Sequence, residues 1–168
     1  MTNSSTTSAD RPFAWRITRY DPARRDEKGA FPADDWTSVS DVGSAFSGTV
    51  LTLEEYQRVE RLYVEAACRF AEECRADEFA VTHVEHGESL VPDSGRVSAG
   101  EFSTLVALML REDLICRIEA VSNSFQLDVG FDLYMFIETD VDCPLAVAEA
   151  RLAGLFVEEG HRSQLWAE

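Results

Sequence analysis

Apolar and polar residues alternate in three consecutive segments between residues 113 and 139. In the first segment, apolar Cys116 and Ile118 alternate with charged Arg117 and Glu119, and the two following segments repeat this pattern. Alternation at every second residue places one set of side chains on each face of an extended strand. Because short polar turns separate the segments, the pattern predicts an antiparallel three-stranded meander over about residues 113–139. One face of this meander is expected in the core, and the other is expected to be solvent-exposed or covered.

Two longer segments place their apolar residues at the spacing of an α-helix. Each begins with a capping box, in which a serine or threonine is followed three residues later by a glutamate: Thr52 with Glu55, and Ser98 with Glu101. The first pattern predicts a helix over about residues 53–75, and the second predicts a shorter helix that begins after the serine. Each helix has an apolar face and is therefore expected to pack against the core.

The remaining predicted elements are short. Strands are expected near residues 13–17, 78–87 and 155–159, and Pro144 begins a third helix that Gly154 ends. The resulting order is β, α, β, α, β, β, β, α, β. This order predicts an α+β fold, in which helices pack on one face of a mostly antiparallel sheet.

The length of 168 residues is close to the usual size of one domain. Residues 1–11 are polar and are expected to form a disordered tail, and residues 12–168 are expected to form a single α+β domain. Residues 21–35 are charged and rich in turn-forming residues, which predicts a long surface loop. Loops of about 15 residues inside a compact domain are often functional.

The charge balance narrows the choice of partners. The chain has 31 acidic and 15 basic side chains, a formal net charge of −16, yet it is 45% hydrophobic, unlike acidic disordered chains. Most of the negative charge lies after residue 50, where 24 acidic and nine basic side chains occur. Such a field repels nucleic acids and anionic membranes and accelerates association with a basic protein. We therefore expect a basic protein partner, with no direct binding of nucleic acid and no membrane; a role in solubility alone is the alternative, and the oligomeric state stays open.

The cysteines and the chain start bear on the cellular compartment. The four cysteines have neither the paired spacing of a metal site nor the density of a secreted disulfide framework: Cys68, Cys74, Cys116 and Cys143. The first residues lack the apolar stretch of a secretory signal, and no run approaches the roughly 20 apolar residues of a membrane span. These features predict a protein of the reducing cytoplasm.

No catalytic motif is present. The chain lacks a Gly-x-Ser-x-Gly elbow, a Walker A loop and a Gly-x-Gly-x-x-Gly fingerprint, so we expect no cofactor and no enzymatic activity. The nearest approach to a metal site is the group His83, Glu85, His86 and Glu88 at the end of a predicted strand. On a strand His83 and Glu85 share a face while His86 lies opposite, so one site would require the chain to turn between them. A polar strand end is the alternative.

Binding residues are predicted where aromatic and acidic side chains occur together. Tyr134 and Phe136 lie opposite the core set on the last strand of the meander, beside Asp132 and Glu138. Aromatic rings among carboxylates suit an arginine-rich or lysine-rich partner, unless a helix covers that face. With the loop around Trp36 and the polar face of the first helix, the predicted partner-binding residues are Asp34, Asp35, Trp36, Glu54, Glu65, Glu72, Glu73, Asp132, Tyr134, Phe136 and Glu138.

Several segments carry a family resemblance: WRITRYDP, RDEKGAFPADDWTSVSDVG, LTLEEY, YMFIETD and GLFVEE. Together they resemble a family of small uncharacterised bacterial α+β proteins, a likeness that spans nearly all of the chain and implies no activity. The acidic α+β character is also similar to immunity proteins that neutralise bacterial toxins. That second likeness implies a one-to-one protein partner, and it transfers no catalytic residue and identifies no toxin.

These observations lead to one main hypothesis and two alternatives. The main hypothesis is an immunity-like or inhibitory acidic protein that blocks the active site of a basic partner, such as a nuclease-type toxin. The first alternative is a small metal-dependent hydrolase that uses the histidine and glutamate group. The second is a DNA mimic, which requires an extended acidic face rather than scattered charge.

Overall fold

The structure is a computed structural model of the chain and describes residues 11–31 and 34–166. The predicted tail therefore lies outside the described residues, except for Arg11. This arginine is buried, and its guanidinium donates hydrogen bonds to the side chains of Asn123 and Gln126 at 2.6 and 2.5 Å. No helix in the described ranges is long and apolar enough to cross a membrane.

The helices and strands follow the chain in nearly the predicted order. The three helices of the described residues are α1 (Leu53–Glu73), α2 (Ala99–Leu110) and α3 (Pro144–Leu152). The strands are β1 (Phe13–Thr18), β2 (Ala45–Phe46), β3 (Thr49–Val50), β4 (Glu78–His86), β5 (Arg96–Ser98), β6 (Ile115–Ala120), β7 (Phe125–Val129), β8 (Met135–Thr139) and β9 (Phe156–Glu159). Seven of them form one sheet in the order β5-β4-β6-β7-β8-β1-β9, and β2 pairs with β3 as a separate small hairpin.

The predicted α+β class is confirmed, including the antiparallel meander of β6, β7 and β8. The register brings Ile118, Leu127 and Ile137 side by side on one face of these strands. The helices pack on that face: Phe70 of α1 contacts Trp15 of β1, with ring centroids 5.0 Å apart. The sheet therefore has one apolar face against the helices, as its alternating pattern predicts.

The start of β8 differs from the prediction. The alternation from residue 131 to 137 predicts one continuous strand, but residues 131–133 form a tight turn and the strand begins at Met135. Asp132 and Leu133 both have positive φ, at 60° and 57°, which no regular strand allows. As a result Phe131, predicted to face the core, is 66% exposed.

The face opposite the helices is polar, and residues 160–166, the C-terminal segment, cross it. The backbone N–H of Gly160 donates to the carbonyl of Ala14, and the indole N–H of Trp166 donates to Asp128 at 2.9 Å. Between these points the guanidinium of Arg162 pairs with Glu138 on β8. This segment explains why several charged side chains on the polar face are buried.

Candidate functional site

A cleft of about 500 Å³ lies at the end of the sheet where the β7–β8 turn meets the chain that follows β1. Because β1 runs antiparallel to β8, residues just after β1 are brought beside residues just before β8. Four aromatic side chains and three aspartates line it, with Gly29, Ala30 and Thr37 between them: Tyr20, Phe31, Phe46 and Tyr134, and Asp35, Asp41 and Asp132. No lysine, arginine or histidine is among the described residues that line this acidic cleft.

Three of the aromatic rings form a continuous wall of the acidic cleft. The ring centroid of Tyr20 lies 4.8 Å from that of Phe31 and 6.1 Å from that of Tyr134. Phe31 and Tyr134 are 6.2 Å apart. At these separations the rings contact each other, so a ligand would lie over the wall and not between its members.

Arginines pack against the same rings from outside the cleft lining. Their guanidinium carbons lie 4.9, 5.1 and 5.3 Å from the ring centroids in the pairs Arg19 with Tyr20, Arg25 with Phe31 and Arg16 with Tyr134. These distances fall within the range of a cation–π contact. The wall therefore already binds guanidinium groups within the protein, and its rings are chemically suited to bind another.

The three aspartates of the acidic cleft differ in how far they are already engaged. Asp35 accepts hydrogen bonds from the guanidinium of Arg19 at 3.1 and 3.2 Å, and Asp41 accepts the backbone N–H of Thr37 at 2.8 Å. Asp132 is exposed, and its carboxylate accepts no hydrogen bond in the part of the chain that the structure describes. An incoming cation would therefore find its strongest counter-charge at Asp132.

The position of Asp132 depends on a turn that the backbone does not favour. A non-glycine residue with a left-handed φ costs about 1–2 kcal/mol, and Asp132 and Leu133 both adopt it. The buried hydroxyl of Tyr63 on α1 donates to the carbonyl of Leu133 at 2.8 Å. The same hydroxyl accepts the backbone N–H of Arg19 at 2.7 Å. One hydroxyl thus holds the turn and the end of β1, which form two sides of the acidic cleft.

Burial affects the tyrosines of this region. It raises the pKa of Tyr20 to about 12, against the opposing influence of Arg19. Burial likewise raises the pKa of Tyr63. Both hydroxyls therefore stay protonated at neutral pH, and that of Tyr20 donates to the carbonyl of Trp36 at 2.9 Å.

The acidic cleft brings together three of the partner-binding residues predicted from the sequence, Asp35, Asp132 and Tyr134. Asp34 is exposed nearby, and hydrogen bonds from Ser47 lower its pKa. The sequence reasoning missed the other lining residues. The available signal was the length of the loop over residues 21–35, which supplies part of the wall.

Other predicted residues lie in different surroundings. Trp36 is 6% exposed, because it packs under Arg19, whose guanidinium carbon is 3.9 Å from the ring centroid. Glu138 is buried in its ion pair with Arg162. Both were expected at the surface, and their burial is a correction to that expectation.

The glutamates predicted on the first helix are also dispersed. Glu54, Glu65 and Glu72 are exposed on α1. Glu73 instead accepts the backbone N–H groups of Leu145 and Ala146 at 3.3 and 2.8 Å, so it caps the start of α3. Arginines interrupt the solvent face of α1 and pair with its glutamates, as in Arg58 with Glu55. The α1 surface is therefore mixed and lacks the extended acidic face that a DNA mimic requires.

Phe136 lies in a larger cleft of about 620 Å³ beneath the C-terminal segment, and Tyr134 lines this cleft as well. None of the described helices covers these two half-buried rings, since α1, α2 and α3 pack on the other face. The cationic groups of this second cleft are already paired, Arg16 with Glu158 and Arg162 with Glu138. They are therefore poorly placed to bind a further anion.

The predicted histidine and glutamate group is not assembled. His83 has a φ of 52°, and its ring packs against that of Trp166 at a tilt of 36°, with ring centroids 5.3 Å apart. His86 lies at the end of β4 opposite Ile115. Within residues 11–31 and 34–166 no group of three or more histidine, cysteine, aspartate or glutamate side chains has the geometry to hold a metal ion.

Glu158 on β9 supports the aromatic wall indirectly. It accepts hydrogen bonds from Arg16 at 2.8 and 3.0 Å and from Arg25 at 2.6 and 2.7 Å, and these arginines contact Tyr134 and Phe31. Partial burial by itself would raise the pKa of Glu158, but the hydrogen bonds from Arg25 and Arg16 outweigh it and lower the pKa to about 2.

A pH-dependent loss of stability is expected when this carboxylate is removed. Its folded pKa is below its ordinary value of 4.5, so its stabilisation is complete above about pH 4.5 and is lost as the pH falls towards 2. Glu158→Gln should therefore lower the free energy of unfolding by about 1 kcal/mol at pH 7, and the difference from wild type should shrink below pH 4.5. Urea unfolding at several pH values checks this. Glu159→Gln, an exposed neighbour, is the control, and a difference that stays constant with pH would contradict the assignment.

Comparison with known proteins adds no relative. No protein-family model matches the chain. The curated proteins and the solved structures likewise contain no match. The two resemblances described from the sequence therefore stay predictions.

Proposed function

We propose that the protein is an acidic binding protein whose acidic cleft receives a cationic side chain of a basic protein partner. One observation carries this proposal: aromatic rings and aspartates line the cleft, without any basic group among the described lining residues. An aromatic face attracts a cation through its quadrupole, and a nearby carboxylate adds direct charge attraction. Together these groups favour an arginine or lysine side chain over a neutral or anionic one.

The internal arginines support the chemistry of this contact. The guanidinium of Arg19 lies 3.9 Å from the ring centroid of Trp36 and also pairs with Asp35. A partner arginine over Tyr134 and beside Asp132 would repeat that combination of an aromatic face and a carboxylate. Arginine is favoured over lysine, because its planar guanidinium stacks on rings and pairs with a carboxylate in two places.

The inhibitory form of the proposal rests on the charge of the whole protein. A net charge of −16 accelerates association with a basic protein and does so most strongly at low ionic strength. A nuclease-type enzyme presents a basic surface to its substrate, so an acidic protein of this size can cover that surface and exclude the substrate. The resemblance to immunity proteins points in the same direction.

Binding of an arginine-rich peptide tests the cleft directly. We expect a hexa-arginine peptide to shift the NMR signals of Tyr20, Asp132 and Tyr134, and a hexaglutamine peptide to leave them unchanged. Tyr134→Ala should weaken binding roughly tenfold, since a cation–π contact is worth about 1–2 kcal/mol. Asp132→Asn should weaken it several-fold.

Asp77→Asn is the matched control for the charge. Asp77 is exposed and precedes β4, at the end of the sheet away from the β7–β8 turn. Asp77→Asn removes the same unit of charge without changing the cleft, so its effect on peptide binding should be small and should disappear at high salt. Equal weakening by Asp77→Asn and Asp132→Asn would show diffuse attraction to the whole surface and would overturn the cleft as the binding site.

A test of the proposed inhibition needs a partner protein from the native host. A photo-crosslinking residue at position 134 should capture a basic protein that the same residue at position 77 does not capture. The enzymatic activity of the captured partner should fall when the wild-type acidic protein is added. It should fall less when the Tyr134→Ala variant is added instead. A captured partner whose activity is unchanged would overturn inhibition while leaving binding in the cleft in place.

A further inference from the structure

Two cysteine thiols lie in contact inside the protein. Cys74 follows the last residue of α1, and Cys143 precedes the first residue of α3. Their sulfur atoms are 3.6 Å apart, although 69 residues separate them in the sequence. Both are free thiols. Tertiary packing of two helix ends therefore creates this pair.

The surroundings make the two thiols unequal. Either thiol can donate the hydrogen bond between the two sulfurs, and donation from Cys74 lowers the pKa of Cys143 and raises that of Cys74. Burial and the nearby carboxylates of Glu73 and Asp142 oppose the lowering at Cys143. With Cys74 as the donor, the sulfur of Cys143 loses its proton first and becomes the nucleophile.

Cys143 is fully buried, so a small oxidant reaches its sulfur only when the chain beside it moves. Cys74 is 8% exposed, and the segment that leads into Cys143 has exposed side chains at Asp140, Val141 and Asp142. A disulfide bond is about 2.05 Å long, so the sulfurs need to approach by roughly 1.5 Å. Both cysteines occupy helix-terminal positions, and helix ends fray, which permits the small backbone shift that this approach needs.

The other cysteines lack such a partner. Cys116 is buried on β6, and burial raises its pKa to about 12. Cys68 is partly buried on α1, and burial also raises its pKa. Neither sulfur has another cysteine within bonding reach in the described residues. Only Cys74 and Cys143 combine contact with unequal acidity.

We propose that Cys74 and Cys143 form a redox site, which a hydroperoxide converts into a reversible disulfide that joins the end of α1 to the start of α3. In the first step the Cys143 thiolate attacks one oxygen of hydrogen peroxide, the O–O bond breaks, and hydroxide leaves. The product is a sulfenic acid at Cys143. In the second step the sulfur of Cys74 attacks that sulfur, the S–O bond breaks, and the Cys74 proton leaves with the departing oxygen as water.

The two steps balance. Two thiols and one hydrogen peroxide give one disulfide and two molecules of water, and two electrons pass from sulfur to the peroxide. A dithiol reductant reverses the reaction by exchange, which restores both thiols. This inference is independent of the proposed function, because neither cysteine lines the acidic cleft.

Peptide mapping of the full chain tests the proposal. After treatment with hydrogen peroxide and alkylation of the remaining thiols, we expect a cross-linked peptide that contains Cys74 and Cys143 and has lost two hydrogen atoms. Dithiothreitol should abolish it. The midpoint of thermal unfolding should rise on oxidation, because a link across 69 residues restricts the unfolded chain.

Two variants separate this site from general thiol oxidation. The Cys68→Ser/Cys116→Ser variant should form the cross-link at a rate within about twofold of wild type, because the pair is intact. The Cys74→Ser variant should form no disulfide and should accumulate sulfenic acid at Cys143, which dimedone labels. Oxidation of Cys68 before any cross-link forms in the wild-type protein would overturn the proposal, and so would irreversible sulfinic acid at Cys143 without a disulfide.

Discussion

Replacing Asp128 with alanine is expected to lower the free energy of unfolding by about 3–5 kcal/mol, because it breaks a buried ion pair from one side. Asp128 lies on β7 on the polar face and is only 1% exposed. Its carboxylate accepts two hydrogen bonds from Arg117, at 3.0 and 2.9 Å, and one from the indole of Trp166 at 2.9 Å. The side-chain amide of Gln126 also donates to this carboxylate, at 3.3 Å. The substitution leaves all three donors without this acceptor and releases the end of the C-terminal segment.

A double variant identifies the origin of the loss. Asp128→Ala leaves the Arg117 charge half-buried and unpaired, whereas Arg117→Met/Asp128→Leu removes both charges and fills the space with apolar groups. The double variant should therefore lose less stability than Asp128→Ala, as measured by urea unfolding. If the double variant is as unstable as the single one, the loss comes from released contacts of Trp166 and not from the unpaired charge. A loss under 1 kcal/mol in the single variant would contradict the prediction.

Replacing Tyr63 with phenylalanine is expected to lower the free energy of unfolding by about 2–4 kcal/mol, because each unsatisfied buried backbone group costs about 1–3 kcal/mol. The fully buried hydroxyl accepts the N–H of Arg19 and donates to the carbonyl of Leu133, and phenylalanine makes neither hydrogen bond. The ring stays in place, so no cavity adds to the loss. Because the turn with Asp132 is held by this hydroxyl, binding of the hexa-arginine peptide should weaken several-fold as well.

Tyr56→Phe is the matched control. Tyr56 is also buried on α1, but its hydroxyl donates a longer hydrogen bond, of 3.4 Å, to the carbonyl of Leu110. Its loss should cost about 1 kcal/mol or less and should leave peptide binding unchanged. Urea unfolding and peptide titration of both variants give the comparison. Equal losses from the two substitutions would show that the Tyr63 hydroxyl has no special role at the cleft.

The fold class was predictable because its determinants are local. The alternation in β6 and β7 and the capping boxes at Thr52 and Ser98 depend on residues within a few positions of each other, and both helices begin where these boxes predict. Three short strands, β2, β3 and β5, were missed for the same reason. β5 has three residues, too few for alternation to distinguish it from the predicted loop.

At the start of β8 the local sequence pattern predicts the wrong conformation. The alternation through Leu133 fits a strand, yet this residue adopts a left-handed φ and its carbonyl is bound by Tyr63, 70 residues earlier. That partner becomes available only when α1 packs on the sheet. A contact distant in sequence therefore overrides the local preference for an extended chain.

The properties of the acidic cleft likewise divide into those that the local sequence determines and those that depend on tertiary contacts. The sequence by itself determined the α+β class, the acidic field and the pairing of aromatic with acidic residues at Asp132 and Tyr134, because composition and nearest neighbours carry these properties. Only the tertiary structure decided that β1 lies beside β8, which brings Tyr20 and Asp35 to Tyr134, and that Trp36 is buried under Arg19. The physical reason is that strand order and side-chain burial depend on segments that are distant in the sequence. Such segments cover one another's apolar surface and pair one another's hydrogen-bonding groups, and no local pattern contains that information.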